Sequence, residues 1–111
     1  MFCNTLLARY SEIQDLTGLE YATSLQDLEL DDNQIIDISA LSGLTNLQDL
    51  YLENNQIIDI SSLAGNNGLG SGDTILLNNN YLDISNPDSP AMAVINTLIG
   101  RGANVAYQPQ H

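Results

Sequence analysis

Apolar and polar positions along this chain repeat as a block. Residues 25–35 read L-Q-D-L-E-L-D-D-N-Q-I, and residues 47–57 read L-Q-D-L-Y-L-E-N-N-Q-I. A step of 22 residues carries Leu25 to Leu47, Leu28 to Leu50, Leu30 to Leu52, Asn33 to Asn55, Ile35 to Ile57, Ile38 to Ile60 and Leu41 to Leu63. The same step backwards lands on Cys3, Leu6, Ala8, Ser11, Ile13, Leu16 and Leu19, where only Ser11 is polar. A step of 25 carries Leu52 to Leu77 and Asn55 to Asn80, so three extra residues fall in the glycine-rich stretch 65–73. A strand is expected at 74–77, with Leu69 reaching the core from the widened loop before it. Recurrence at a fixed period signals stacked units, and the alternation Leu28-Glu29-Leu30 signals a half-buried strand in each unit. One such coil cannot bury its own leucines. Stacked coils bury them jointly, and their strands pair at about 4.8 Å into a parallel sheet. The expected coils are 3–24, 25–46, 47–71 and 72–86.

The polar residues of the repeat have structural work. An asparagine amide carries donors and an acceptor, so Asn33, Asn55 and Asn80 suit a turn where backbone from two coils needs partners. Asp15, Asp37 and Asp59 recur ahead of an apolar residue, with Asp83 one residue early, and read as turn caps that accept backbone N–H groups. A calcium column is disfavoured, because each coil would supply one ligand and no glycine-containing loop wraps an ion. Downstream, Ser89 as N-cap, Pro90 at the first position and Gly100 as a stop predict a helix over 90–99. Its expected apolar face is Val94, Ile95, Leu98 and Ile99. Val105, Ala106 and Tyr107 are expected to add a last strand, completing a cap over 87–108.

The pattern L-x-x-L-x-L-x-x-N-x-I-x-x-I-x-x-L-x-x-L, running from residue 3 to about 85, resembles the 22-residue leucine-rich repeat of the internalin type. The Gly-Leu-Gly-Ser-Gly-Asp loop and following helix also resemble the C-terminal end of bacterial proteins of this class. The resemblance implies an α/β fold: a right-handed leucine-rich repeat solenoid with a short parallel sheet on its concave face and a C-terminal helix–strand cap. It also implies that the inner sheet binds another macromolecule, and it suggests a secreted or surface location. No export signal stands in the first ten residues, and the localisation stays open.

The outward strand positions form three columns: Thr5, Asp27, Asp49, Thr74; Leu7, Glu29, Tyr51, Leu76; and Arg9, Asp31, Glu53, Asn78. Five carboxylates, Asp27, Glu29, Asp31, Asp49 and Glu53, converge around Tyr51. Stacked like charges weaken a sheet modestly unless something neutralises them. These six residues are the candidate partner-binding site, with Tyr51 as aromatic anchor and the carboxylates supplying steering. The alternative at this point is a solvated strand face with no ligand.

Charge sharpens this expectation. Two cations, Arg9 and Arg101, stand against fourteen acidic residues, for a net charge of −12 over 111 residues. Nucleic acid and anionic membranes, which need positive surface, are therefore excluded as expected partners. No apolar run approaches the roughly 20 residues of a membrane span. Catalysis lacks an inventory: His111 is the last residue, Cys3 sits at a core position, and Gly68, Gly70 and Gly72 precede a strand rather than opening a helix. Asp27, Glu29 and Asp31 mimic the start of a calcium loop, but Ile38 takes its twelfth place. No enzyme, cofactor or metal is expected.

With Cys3 already in a repeat position, only Met1 and Phe2 precede the first coil. Three explanations compete: a piece of a longer protein, which is favoured, pairing of the open end with another copy, or Met1 and Phe2 folding over it. The expected function is a protein-interaction module that binds a basic protein or peptide on an acidic concave face. The alternative is a structural spacer, or a fragment of a larger surface protein, without a binding role of its own.

Overall fold

In a computed structural model, which describes residues 4–110, each coil contributes one three-residue strand. The strands are β1 (Thr5–Leu7), β2 (Asp27–Glu29), β3 (Asp49–Tyr51), β4 (Thr74–Leu76) and β5 (Asn104–Ala106). They pair in parallel in chain order, with Leu6, Leu28, Leu50, Ile75 and Val105 side by side in one register. Behind the sheet, Leu28, Leu30, Ile35, Ile38 and Leu41 are buried together with their counterparts in the next coil. Single 3-10 turns at Leu19–Tyr21 and Ser39–Leu41, and the short helix α1 (Ser61–Gly65), carry the return path. The positions of Cys3, Met1, Phe2 and His111 lie outside the described residues.

The turn out of the sheet is built by a ladder of amides. Asn55 Oδ1 accepts the Ile35 N–H at 3.0 Å, while its Nδ2 donates to the carbonyls of Leu30 and Leu52, each at 3.0 Å. Asn80 repeats the pattern one coil on, accepting from Ile57 and donating to Leu52 and Leu77. Asn33 accepts from Ser11 and Ile13 and donates to Ala8 and Leu30. The residue before each amide, Asp32, Asn54 or Asn79, has φ near 60° (61°, 62° and 60°). Asp and Asn tolerate that left-handed conformation best among residues with a side chain. The aspartates act as turn caps: Asp15, Asp37 and Asp59 each accept the N–H two residues on, at 2.8 Å. Asp83, with its shortened spacing, instead accepts the Ser85 hydroxyl.

Leu69 is buried at the same 22-residue step from Leu47, so the three extra residues fall after it, between Leu69 and Ile75. They make a tight turn in which Asp73 Oδ2 accepts the Gly70 N–H at 2.9 Å. Just before Leu69, Gly68 lies so close to the Thr45 carbonyl of the preceding coil that a Cβ would approach its oxygen to 2.0 Å. Asn66, at a position that is leucine in the preceding coil, is fully buried. Its amide donates to the Leu41 and Leu44 carbonyls at 2.9 and 3.0 Å.

The cap helix, α2 (Pro90–Gly100), starts as its sequence suggests: Ser89 Oγ accepts the Met92 N–H at 3.1 Å. Its end differs. Gly100 is still helical, and the left-handed residue is Gly102, with φ 95°. The Gly102 N–H donates to Ile99 and the Ala103 N–H to Leu98, which is a Schellman closure. The buried face is Ala91, Val94, Ile95 and Leu98, whereas Ile99 is 46% exposed. That follows from the 3.6-residue period, which returns to residue 98 from 91 and 95 and leaves 99 off the seam. The last strand likewise begins one residue earlier than Val105 and ends before Tyr107.

Gln110 continues the amide ladder past the last asparagine. Its Oε1 accepts the N–H groups of Asn80 and Leu82, both at 3.1 Å, and its Nε2 donates to Leu77 and Tyr107. The final coil is therefore closed by a glutamine in the role that asparagine plays elsewhere.

Candidate binding face

The strand register brings the six candidate residues together on the sheet's outer face. Asp27 lies beside Asp49 and Glu29 beside Tyr51 as paired residues of β2 and β3. Asp31 and Glu53 follow two residues beyond, where the backbone stays in register: the Asp32 N–H donates to the Glu53 carbonyl at 3.0 Å. Leu7, 62% exposed, and the half-buried Leu76 flank Glu29 and Tyr51 in the middle column.

The carboxylates do not share one environment. Asp31 is buried, only 4% exposed, and its Oδ2 takes the Arg9 Nε–H at 2.8 Å. Arg9 also lies over the Tyr10 ring, 5.4 Å from its centroid. The ion pair neutralises one of the stacked charges. Glu53 has no cation of its own, and loss of hydration, with Asp31 and Asp32 nearby, holds its carboxyl above the usual range. Glu29 is raised in the same direction, first by desolvation and then by the adjoining Asp27. Tyr51 is raised too, by desolvation and by the surrounding charges of Asp49, Glu29, Asp27 and Glu53, so its hydroxyl stays protonated at neutral pH. Among the described residues, Asp27 Oδ1, Asp31 Oδ1 and Glu53 Oε1 are buried without a hydrogen-bond donor. A buried acceptor left unmatched costs about 1–3 kcal/mol, and more when charged.

Both cations are committed. Arg101 donates to the carbonyls of Ala64 and Asn66 at the C-terminal end of α1, tying the cap to the third coil. The Asn78 side chain donates to the Gln108 carbonyl, which ties the fourth residue of the Arg9 column to the C-terminal segment. Among the described residues, no three His, Cys, Asp or Glu side chains are grouped to hold a metal ion.

A second concavity, away from the sheet, is lined by Ile36, Asp37, Ser39, Ile58 and Asp59, with a volume of about 380 Å³. Its isoleucines, both largely exposed, are the second members of the Ile-Ile doublets at 35–36 and 57–58. Those doublets are the sequence signal that could have marked it.

The family described as leucine-rich repeats (2 copies) matches residues 23–65. A search of curated proteins finds no match. Among solved structures, the chain is similar to an internalin C2 from Listeria monocytogenes, with a TM-score of 0.69 and 26% identity over 93% of this chain. It is also similar to an internalin (InlF) from the same organism, with a TM-score of 0.72 and 28% identity over 96% of this chain. The chain folds as a leucine-rich repeat solenoid similar to those of internalins. It spans 41% and 35% of the length of those two proteins. Leucine-rich repeat solenoids present extended concave surfaces to other proteins.

Proposed function

We propose that this internalin-type solenoid is a protein-interaction module whose sheet face receives a basic segment of a partner protein. The observation that carries the reading is the placement of Tyr51 on β3, ringed by Asp27, Glu29, Asp49 and Glu53. A ring face beside carboxylates attracts an ammonium or guanidinium through both its quadrupole and the charges. The aromatic body supplies desolvated contact area, which dominates binding energy more often than exposed charges do. The carboxylates speed encounter and select for positive charge. Unmatched acceptor oxygens favour an occupant rich in N–H groups.

The test is titration of basic peptides into the isotopically labelled protein at rising salt. Binding should weaken as salt rises, and Tyr51→Ala should lower affinity about thirtyfold, the loss expected of a hot-spot aromatic worth about 2 kcal/mol. Affinity indifferent to both salt and Tyr51→Ala removes this face as the binding surface. If neutralising Asp27, Glu29, Asp31, Asp49 and Glu53 only raises stability and no basic ligand binds, the chain serves as a spacer.

A further inference from the structure

Ile36 and Ile58 occupy a repeat position that the core does not use. Ile35 and Ile38 in one coil, and Ile57 and Ile60 in the next, already fill the interior, whereas Ile36 and Ile58 stand 56% and 63% exposed. The same position is Gln14 in the first coil and Asp83 in the fourth, so stacking requires no apolar residue there. Ile36 and Ile58, with Asp37 and Asp59, line the cavity of about 380 Å³ away from the sheet. A hollow of about 420 Å³ adjoins it, sharing Ile58, Asp59 and Ser61 and reaching Pro90, Ala91 and Val94 at the start of α2. Together they form one apolar groove that crosses the stack from the second coil to the cap. Its rim carries fixed charge: the backbone N–H groups and hydroxyls of Ser39 and Ser61 hold Asp37 and Asp59 below the usual carboxylate range. The chain's two cationic side chains are engaged elsewhere, Arg9 with Asp31 and Arg101 with the Ala64 and Asn66 carbonyls.

We propose that this groove is a second docking surface, separate from the sheet face, which takes a basic amphipathic helix of a partner protein. The helix lays its apolar stripe on Ile36, Ile58 and Pro90 and sets lysines or arginines beside Asp37 and Asp59. Contiguous exposed apolar surface with a polar rim marks an interaction site, and a groove of this kind suits a helix. The spacing agrees. Coils follow one another at about 4.8 Å, and a helix advances about 5.4 Å per turn, with residues three and four apart on one face. One helical turn therefore meets one coil across the length of the groove. An extended segment repeats its side chains on one face only about every 6.6 Å and loses step sooner. Charge selects the occupant further. A second copy of this chain would bring one row of ionised aspartates against another, which is unfavourable. Anionic membrane is repelled for the same reason, and the net charge of −12 adds to the preference for a cationic partner.

The experiment titrates a capped helical peptide, with leucines at i, i+4 and i+7 and lysines flanking them, into the isotopically labelled full chain. A scrambled peptide of the same composition and a version with glutamate in place of lysine serve as comparisons. The lysine helix should shift the amides of Ile36, Ile58, Ser61 and Ala91, and the other two peptides should bind at least tenfold more weakly. Ile58→Ser, at an exposed position that leaves the core intact, should lower affinity for the lysine helix about tenfold. The double variant Asp37→Asn, Asp59→Asn keeps an acceptor oxygen for each turn, so it should fold while losing the salt dependence of binding. Shifts confined to the strand amides of β2 and β3 would place the peptide on the sheet face and overturn the groove as a docking surface. Equal binding of the scrambled peptide, or none by the lysine helix, overturns it as well. Concentration-dependent shifts at Ile36 and Ile58 without peptide, abolished by Ile58→Ser, would assign the groove to a second copy and refute the partner helix.

Discussion

The amide ladder makes a quantitative claim about Asn55. Substituting alanine removes one acceptor and one amide group from the interior. The Leu30 and Leu52 carbonyls that Asn55 bonds are not orphaned, because Leu30 keeps its bond from Asn33 and Leu52 its bond from Asn80. The Ile35 N–H is orphaned, since it donates to Asn55 Oδ1 inside the core. One buried unmatched donor costs about 2 kcal/mol, and the two lost bonds to carbonyls about 1 kcal/mol each. Asn55→Ala should therefore destabilise the fold by about 4 kcal/mol, a large part of the 5–15 kcal/mol typical of a small protein. With an urea slope near 2 kcal/mol/M, the midpoint followed by circular dichroism and tyrosine fluorescence should fall by about 2 M. Asn33→Ala should cost about half as much, because the two N–H groups it accepts belong to the exposed Ser11 and the half-buried Ile13, which water can reach. Gln34→Ala, on the exposed neighbour, should stay within about 0.5 kcal/mol. A loss below about 1.5 kcal/mol at Asn55, or a larger loss at Asn33 than at Asn55, would refute the assignment of these amides as shared rungs.

Other expectations follow from the same structure. Gly68→Ala drives a Cβ into the Thr45 carbonyl of the preceding coil and should cost about 1–3 kcal/mol, read as a lower melting temperature. Gln110→Ala leaves Leu82 and Asn80 N–H groups without their acceptor and should cost about 1–3 kcal/mol, with faster amide exchange at those two positions. Stability should fall as pH rises from 4.5 through the raised values of Glu29 and Glu53, because the folded state binds more protons in that window. Urea midpoints of the Glu29→Gln, Glu53→Gln double variant should lose that decline. Asp15, Asp37 and Asp59 act oppositely: hydrogen bonds from Thr17, Ser39 and Ser61 hold them below 3.8, so their contribution is present above that pH and lost as pH falls through their folded values.

The repeat alone was sufficient to derive the stack, the strand register and the roster of outward columns. Side chains at a constant step have no way to be buried except against their own equivalents, so Leu28, Leu50 and Ile75 had to become neighbours. The same logic placed Asp27, Glu29, Asp31, Asp49, Tyr51 and Glu53 on one face. What the linear order left open is anything that depends on which partner is nearest across coils. Arg9 looked like one more outward residue until folding set it against Asp31, and that pairing determines which oxygens remain unmatched. Gln110 carries none of the asparagine spacing, since it lies thirty residues past Asn80 rather than one repeat, and only the sheet register brings it to the rung position. The helix runs through Gly100 and its left-handed closing residue is Gly102, because Schellman closure depends on where the buried seam through Ala91, Ile95 and Leu98 stops. Periodicity is a local property that survives in one dimension. Satisfaction of a buried charge or amide is a contact property, and it exists only once the coils are stacked.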